Sequence, residues 1–392
     1  MKKIAVIIKN TTYHKYFGGL ETHTKNLLES LSEGYEITVF SPKRDLKNFE
    51  IKDGNIKYYF LDANYKTSFW SDLFKNNWYQ TLLEFFREIN KNENFDLVIS
   101  ISSAGYPIIL NKKKLKDEFK FKILTISHGT AGSEFQSLIN EKVSLPRLLL
   151  NFPYVFYNIL FKQRSFILGS DTVVCVSDYV RNELIKETGD KNVNKYLTIF
   201  NGSRHEEYIK DFEKNGKLVL LFAGRVEKSK GVWEIIQSIN DLDVVLKIAG
   251  DGSLIEDLKK YIQENKLEEK ISLLGKLKYS DLVKFYKEAD LLVSPSLRVE
   301  GFPMSIVEAM GYYLPIITTN IGGNKDAVVD SKNGFLISMG DVIELKDKIN
   351  YFNKYPEKIK EFGLNSRNFA IQKYSFDVML SRYQKIINDL IK

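Results

Sequence analysis

The chain has 392 residues, of which 44% are hydrophobic and 27% charged, and its formal net charge is +7. This composition excludes a disordered chain, and the length predicts roughly two or three domains with a sizeable core. The single cysteine, Cys175, excludes a disulfide framework and a cysteine-rich zinc site, and the four histidines form no HExxH pattern. We therefore expect a globular protein without a metal site.

No segment has the pattern of a transmembrane helix or an export signal. The apolar run at residues 4–8 ends at Lys9-Asn10, which is too early for a signal peptide. The longest apolar stretch, residues 148–161, is too short to span a bilayer and is interrupted by Asn151, Pro153 and Asn158. We expect a cytoplasmic protein.

In the first half, short β-branched runs alternate with helical patterns. Strands are predicted at residues 4–8, 37–40, 96–101, 121–126 and 171–176. The first strand leads to a loop with Gly18-Gly19 and then to a helix, which Gly34 is predicted to close. The apolar residues of this helix recur at helical spacing: Leu20, Leu27, Leu28 and Leu31. This alternation predicts βαβ units and a parallel sheet.

The same rhythm restarts after Asn201-Gly202. Strands are predicted at residues 218–223, 244–249, 291–294 and 315–318, and helices at 232–239, 254–264, 281–287 and 304–312. The polar stretch 201–216 marks a domain boundary. We expect two doubly wound α/β domains, residues 1–200 and 201–373, followed by a final segment at 374–392. Because ligands of such sheets bind beyond the carboxyl ends of the strands, we expect a site in the cleft between the domains.

A glycine-flanked basic loop, AGRVEKSKGV at residues 223–232, follows a predicted strand and precedes a predicted helix. Arg225 and Lys230 supply a forked guanidinium and a compact ammonium, and Gly224 and Gly231 allow close backbone approach. Beside a helix N-terminus this arrangement suits a diphosphate. An ordinary basic surface loop is the alternative.

Two glutamates follow a later predicted strand. Glu300 stands in the loop, and Glu308 falls about one turn inside the next helix, with Pro303 predicted in its first turn. Glu308 lies among apolar neighbours, so its carboxylate needs a partner. Glu300 can bond sugar hydroxyls, and Glu308 can take both hydroxyls of a ribose. Amides at the start of this helix form an anion-binding element, those near Phe302, Met304 and Ser305.

Two weaker signals lie at predicted strand ends in the first half. The Gly18-Gly19-Leu20-Glu21 loop follows the first strand, where it would face the phosphate site, although a flexible turn explains it equally well. His128 ends a buried strand at the expected edge of the cleft. A structural histidine is the alternative there.

Taken together, these residues resemble the retaining glycosyltransferases of family 4, which have the GT-B fold. The matching pieces run through nearly the whole chain: the loop at Gly18 to Glu21, His128, the spacing from Arg225 to Lys230-Gly231, Gly250-Asp251-Gly252, Glu300, Glu308, and Gly322-Gly323 before Asp326. There are two departures. Asp326 stands where the family usually has glutamate, and Ser203-Arg204 replace an apolar-acidic pair.

The resemblance implies two Rossmann-like domains facing a central cleft, with a C-terminal helix at residues 376–391 crossing back to the first domain. It implies that Arg225 and Lys230 hold the donor's diphosphate, that Glu300 holds the sugar, and that His128 lies near the sugar's hydroxymethyl group. The nucleobase would lie near Leu274-Gly275-Lys276. The residues so assigned to donor binding are Gly18, Gly19, Gly224, Gly275, Gly301, Phe302, Pro303, Met304, Ser305 and, on the ribose, Glu308.

The activity implied is a retaining, metal-independent transfer of a hexose or N-acetylhexosamine from a nucleoside-diphosphate sugar such as a UDP-sugar. The acceptor would be a glycan or lipid-linked molecule in cell-surface polysaccharide or glycoconjugate synthesis, and no cofactor or nucleic acid takes part. Two alternatives stay open: a non-catalytic partner of another glycosyltransferase, and a sugar-nucleotide epimerase. Asp241-Leu242-Asp243 matches an acidic metal signature, but its place before a predicted strand favours a turn.

The first half also carries features that suit a membrane surface. Residues 1–200 contain 28 Lys+Arg and 22 Asp+Glu, so +6 of the net charge lies there. Two aromatic-rich segments, residues 65–79 and 145–168, contain or border lysines and arginines, namely Lys66, Lys75, Arg147, Lys162 and Arg164. Core packing explains part of the first segment's apolar stripe better: Trp70, Phe74, Trp78, Leu82 and Phe86. We expect peripheral contact with an anionic membrane.

Overall fold

The computed structural model describes residues 1–15, 18–63, 77–141, 143–213 and 216–392. Contacts divide the chain into two units. The first comprises residues 1–135, 144–200 and 379–392, and the second comprises residues 136–143 and 201–378. Each unit is built around its own sheet.

The first unit contains a largely parallel sheet. Its strands are β1 (Lys2–Ile7), β2 (Tyr35–Pro42), β3 (Glu50–Asp53), β4 (Ile56–Leu61), β5 (Leu97–Ile101), β6 (Lys122–Ser127), β7 (Thr172–Cys175) and β8 (Tyr196–Thr198). They lie in the order β3-β4-β2-β1-β5-β6-β7-β8, and within this sheet β3 pairs antiparallel with β4. The inner strands read as continuous apolar runs because helices cover both faces of such sheets.

The helices up to residue 200 connect these strands. They are α1 (Gly19–Leu31), α2 (Trp78–Glu93), α3 (Tyr106–Leu110), α4 (Lys112–Glu118), α5 (Ala131–Asn140), α6 (Leu145–Tyr157), α7 (Arg164–Gly169) and α8 (Asp178–Thr188). A π-helical segment, Asn158–Gln163, joins α6 to α7. The second half of α5 groups with the second unit.

The second unit contains a parallel sheet. Its strands are β9 (Leu218–Ala223), β10 (Val244–Ala249), β11 (Ile271–Gly275), β12 (Leu291–Ser294), β13 (Ile316–Thr319) and β14 (Gly334–Ile337), in the order β11-β10-β9-β12-β13-β14. The helices are α9 (Val232–Ser238), α10 (Ile255–Glu264), α11 (Tyr279–Glu288), α12 (Met304–Gly311), α13 (Asn324–Ala327), α14 (Val342–Lys354), α15 (Glu357–Lys373) and α16 (Phe376–Ile391). Buried Leu, Ile and Val side chains of β9 and β10 form the centre of its core.

The last helix returns to the first unit. From residue 379 onward its contacts belong to that unit. Met379, Tyr383 and Ile387 recur at spacing four and are buried, and the Tyr35 hydroxyl donates to Asn388 Oδ1 at 2.7 Å. The predicted packing of this helix is therefore confirmed.

The predicted parallel α/β fold is confirmed, and β9, β10 and β12 occupy the predicted residues. Two details at α1 are wrong. The helix ends at Leu31 with Ser32 as a right-handed C-cap, so Gly34 does not cap it, and Leu20 is exposed. Pro153 does not interrupt the helical pattern, because it lies inside α6.

The structure describes only the second part of the aromatic stripe at residues 70–86, from residue 77 onward. Trp78, Leu82 and Phe86 are fully buried, and the Trp78 indole donates to the carbonyl of Ala104 at 3.2 Å. Core packing is therefore correct for these three. Trp70, Phe74 and the rest of residues 65–76 lie outside the described residues, as do Lys66 and Lys75.

The second aromatic-rich segment is helical, and its charged residues are not all at its surface. Lys162 is buried, with its ammonium 5.7 Å from the ring centre of Tyr79, so the expectation that its charge faces a membrane surface is wrong. Arg164 is exposed. The Arg147 side chain lies outside the described part. Within that part, no helix has the length and hydropathy needed to cross a bilayer.

Candidate active site

Three adjacent strands of the second unit end in glycines that share one edge of the sheet. The Gly224 amide donates to the Ala249 carbonyl at 3.0 Å, and the Gly250 amide donates to the Gly275 carbonyl at 2.9 Å. A Cβ on Gly250 would lie 1.7 Å from the Gly224 carbonyl oxygen, so no side chain fits there. The loops that follow β9 and β10 therefore pack backbone against backbone at Gly224 and Gly250.

Lys230 and Glu300 meet beside this edge. Lys230 ends a 3₁₀ turn after β9, Glu300 follows β12, and the Lys230 Nζ lies 2.5 Å from Glu300 Oε1. Both side chains are largely buried. Gly231 makes the approach of the two loops feasible, because it has φ +73° and a Cβ there would lie 2.1 Å from the Pro295 carbonyl oxygen.

The ionisation of Glu300 follows from this pairing. Burial alone would raise the pKa of its carboxyl, but the charge and hydrogen bond of Lys230 outweigh that effect, and the pKa lies below its usual value. The Ser296 hydroxyl adds a hydrogen bond to the same oxygen at 3.2 Å. Glu300 is therefore an anion at neutral pH.

The backbone around Glu300 is tightly held. The Gly323 amide donates to the Glu300 carbonyl at 2.8 Å, and a Cβ on Gly322, which has φ +57°, would lie 2.4 Å from that same oxygen. The Ser229 carbonyl accepts from the amides of Leu297 and Arg298. These contacts fix the Glu300 loop against both the Lys230 turn and the Gly322-Gly323 turn.

Arg225 lies on the loop after β9 but makes no contact with this pair. Its side chain is 57% exposed, and its guanidinium lies 2.9 Å from Glu227 Oε1. The structure therefore brings Lys230 and Glu300 together and leaves Arg225 pointing to solvent.

Glu308 lies one turn inside α12, as predicted, and tyrosine side chains lie close to its carboxylate. The Tyr286 hydroxyl donates to Glu308 Oε2 at 2.9 Å, and the Tyr286 ring stacks on Tyr312 with 5.6 Å between centroids. Burial raises the pKa of Glu308 to about 7, and the Tyr286 hydrogen bond offsets only part of that rise. Sequence reasoning missed Tyr286, which comes from α11.

Helix α12 begins at the predicted residue, but the predicted place of Pro303 is wrong. Pro303 is the extended N-cap residue, and the helix begins at Met304, so Pro303 is not in the first turn. The Phe302 side chain is buried, with its ring centroid 5.4 Å from that of Tyr374, and it contributes to the core. The amides of Met304 and Ser305 lie in the first turn, where a helix offers no carbonyl acceptors.

In the first unit, Gly18 and Gly19 begin α1. Gly18 is the N-cap residue, and its amide donates to the Glu21 carboxylate at 2.9 Å. A Cβ on Gly19 would meet no atom of the described residues within 4 Å, so their packing does not require glycine there. Glu21 therefore has a structural role, while the bare backbone at Gly19 leaves room for a ligand.

His128 directly follows β6, also in the first unit. Burial, with a smaller contribution from the nearby His23, lowers its pKa to about 3, so the imidazole is neutral at pH 7. Its Nε2 is buried and has no hydrogen-bond partner among the described residues. Sequence reasoning did not identify His23, because its proximity to His128 depends on the fold.

A polar network holds the chain just after His128. Gln163 accepts from the Ala131 amide at 2.8 Å and donates to Glu187 at 2.6 Å, and Glu187 also accepts from the Thr130 hydroxyl at 2.6 Å. The π-helical segment and α8 thereby fix the loop that carries the imidazole. No local pattern in the sequence indicated this network.

The acidic sequence Asp241-Leu242-Asp243 lies away from the strand ends described above. It precedes β10, whereas the glycine edge follows that strand. Asp241 pairs with Lys346 at 2.6 Å, and Asp243 with Lys217 at 2.8 Å. In the part of the chain that the structure describes, no three His, Cys, Asp or Glu side chains are grouped so as to hold a metal ion.

Comparison with known proteins matches a glycosyltransferase family model to each half of the chain. The family model described as Glycosyltransferase Family 4 matches residues 17–204, and that described as Glycosyl transferases group 1 matches residues 204–369. The two matches adjoin and together span most of the chain.

Curated relatives of full length are similar at modest identity. The uncharacterized glycosyltransferases MJ1178 and MJ1069 of Methanocaldococcus jannaschii are 26% and 27% identical, with 99% and 100% of each chain covered. The UDP-Gal:alpha-D-GlcNAc-diphosphoundecaprenol alpha-1,3-galactosyltransferase of Escherichia coli is 33% identical over 55% of this chain and 57% of its own length.

Solved structures share the fold over the whole chain. Sucrose-phosphate synthase of Thermosynechococcus elongatus superposes with a TM-score of 0.78 at 17% identity, covering 100% of this chain and 99% of its own. Anabaena Alr3699/HepE, in complex with UDP and glucose, gives 0.70 at 17% identity and covers 99% of both chains. With this fold and both family matches, the chain is a GT-B glycosyltransferase of family 4.

Proposed function

We propose that the chain transfers a hexose or N-acetylhexosamine from a nucleoside-diphosphate sugar to a glycan or lipid-linked acceptor, with retention and without a metal ion. The supporting observation is the Lys230–Glu300 pair, largely buried beside the glycine edge of the second unit. A cation and an anion at that place suit a departing diphosphate and the hydroxyls of the sugar. The product belongs to cell-surface polysaccharide or glycoconjugate synthesis.

Lys230 is the group that stabilises the leaving diphosphate. Glu300 neutralises its ammonium when no donor is bound, and a phosphate within reach would share that charge without reorganising the loop. Loss of one such preorganised group typically costs about 2.7–4 kcal/mol of transition-state stabilisation. The exposed Arg225 would supply a second cation by turning from Glu227 to the diphosphate.

The remaining groups orient the donor. Glu308 accepts hydrogen bonds from the ribose, and the first-turn amides of α12 bind the sugar or phosphate oxygens. His128 offers a neutral imidazole to a sugar hydroxyl, which suits its unpartnered Nε2. The leaving phosphate accepts the acceptor's proton, so substitution proceeds on the same face and the anomeric configuration is retained.

The choice of donor and acceptor draws on the relatives. Alr3699/HepE was solved with UDP-glucose, and the Escherichia coli relative is named for UDP-Gal and a diphosphoundecaprenol acceptor. We therefore propose a UDP-sugar as donor and a lipid-linked acceptor at the inner face of the cell membrane.

The test is turnover of a panel of UDP- and GDP-sugars by the purified chain, with Lys230→Ala as the diagnostic variant. Lys247→Ala is a matched control, because Lys247 is similarly buried and pairs with Glu288 at 2.8 Å in the same unit. We expect a fall of about two to three orders of magnitude in turnover for K230A alone. Equal rates in the two variants would refute the role of Lys230.

The same assay separates the other functions. Wild-type turnover that is lost in EDTA and restored by manganese would overturn the metal-free mechanism. Interconversion of the donor without any acceptor would indicate an epimerase. A chain that binds another glycosyltransferase and turns over no donor would be a non-catalytic subunit.

A further inference from the structure

An apolar stripe runs along the outer face of α6 and the π-helical segment. Its members recur every three or four residues, so they lie on one side of the helix, and all are exposed: Leu145, Leu149, Phe152, Phe156 and Leu160. Leu150, which is 80% exposed, and Phe161 widen the stripe. Exposed apolar side chains in such a continuous row mark an interaction surface.

The opposite side of the same segment is anchored in the first unit. Val155 is buried, and Gln163 is buried within the network that reaches Ala131 and Glu187. The stripe is therefore the outward face of a helix whose position is already fixed. Its apolar side chains have no need to move in order to meet a partner.

Charge distinguishes one class of partner from others. Residues 142–170 contain no Asp or Glu, and they include Lys142, Arg147 and the exposed Arg164. Self-association through the stripe would bring together two segments of the same positive net charge, with no carboxylate in either to neutralise it. An anionic lipid surface supplies both an apolar interior and the missing negative charge.

We propose that residues 145–161 dock the protein onto an anionic lipid bilayer, with the stripe entering the boundary between headgroups and acyl chains. About 17 helical residues extend for about 25 Å, and this helix would lie along the surface rather than cross it. This inference deepens the proposed function. Only its link to a lipid-linked acceptor rests on that function, because an enzyme held at the membrane surface would reach such an acceptor.

The test is sedimentation of the full chain with vesicles of phosphatidylcholine, with and without phosphatidylglycerol. The diagnostic variant is Leu150→Glu with Phe156→Glu. Its matched control is Ile343→Glu with Ile371→Glu, which places the same charges on exposed apolar positions of the second unit. We expect wild type and control to bind, more strongly with phosphatidylglycerol, and the diagnostic variant to bind at least about ten-fold more weakly.

Three outcomes would overturn the proposal: no vesicle binding by the wild type, equal binding by both variants, or a wild-type dimer that the diagnostic variant dissociates. Added salt should reduce the preference for phosphatidylglycerol while apolar binding to vesicles remains. Donor hydrolysis without vesicles keeps the two proposals distinguishable, because the Leu150 and Phe156 substitutions should leave it unchanged. If the wild type did not hydrolyse any donor, that result would instead refute the proposed function.

Discussion

The Glu308 carboxyl titrates close to neutral pH. Burial raises its pKa to about 7, and the Tyr286 hydroxyl lowers it only in part. A ribose that donates two hydroxyls favours the carboxylate over the acid, because a protonated carboxyl has less capacity to accept. Donor binding below pH 7 would therefore displace a proton, and this one side chain would link donor affinity to pH.

We expect the dissociation constant of the donor to decrease as the pH rises from about 6 to about 8, since the carboxylate is then already formed. Calorimetry in two buffers of different ionisation enthalpy counts the protons released. Glu308→Gln should bind more weakly and without this pH dependence. Tyr286→Phe should move the midpoint upward, because its hydroxyl lowers the pKa of Glu308. A wild-type affinity that is flat across this range would contradict the assignment.

Residue chemistry was predictable only where it is local. Lys230, Glu300 and Glu308 stand out because each follows a predicted strand or interrupts an apolar helix face. Tyr286 could not be found in this way, since its contact with Glu308 joins two helices 22 positions apart. The side-chain direction of Arg225 depends on its pairing with Glu227, which spacing alone does not determine.

Among the elements, α1 combines a helix start with an open backbone position. Among the residues that the structure describes, no atom lies within 4 Å of the Cβ that Gly19 would carry, and glycine is a poor helix former. Packing therefore does not account for Gly19. Close approach by a ligand would account for Gly19, because a methyl group at this position would occupy the ligand's space.

Gly19→Ala should raise the free energy of unfolding by up to about 1 kcal/mol and lower kcat/KM by about ten-fold or more. Thermal melting and turnover of a UDP-sugar measure the two effects. Gly34→Ala is the control, because Gly34 is equally open but follows the end of α1. Full activity of the Gly19 variant would show that no ligand approaches this backbone.

Continuous apolar runs made some elements predictable with accurate ends. β9 and β10 are central strands with continuous apolar runs, and their ends agree with the prediction. The edge strands β3, β8, β11 and β14 were missed, because each is short and pairs on one side only, and the inner strand β4 was missed as well. The course of α6 through Pro153 was also beyond local pattern, since proline usually interrupts a helix.

At the scale of the whole molecule, the repeated alternation of strands and helices was enough to predict the α/β fold. The return of α16 was implied by the family resemblance, and the apolar face of the helix suits that packing. The grouping of residues 136–143 with the second unit was not predictable, since it depends on contacts far apart in sequence. Long-range packing also decides where buried histidines lie, and these affect the stability of the fold.

His205 is such a residue. Burial, assisted by the nearby Arg367, lowers its pKa to about 4, and neither ring nitrogen has a hydrogen-bond partner in the described part of the chain. The unfolded chain takes up a proton near pH 6.5, whereas the folded chain does so only near pH 4. The contribution of neutral His205 to stability is therefore complete above pH 6.5 and is lost as the pH falls toward 4.

We expect His205→Gln to flatten the acid side of the stability curve. Its free energy of unfolding should be lower than that of the wild type at pH 7, because the packing of the ring is lost, and the difference should shrink by about 3 kcal/mol near pH 4. Denaturant unfolding at a series of pH values measures this change. Because His128 and Glu308 titrate alike in both proteins, the comparison isolates His205. Parallel curves would show that its ring is protonated equally in the folded and unfolded chain.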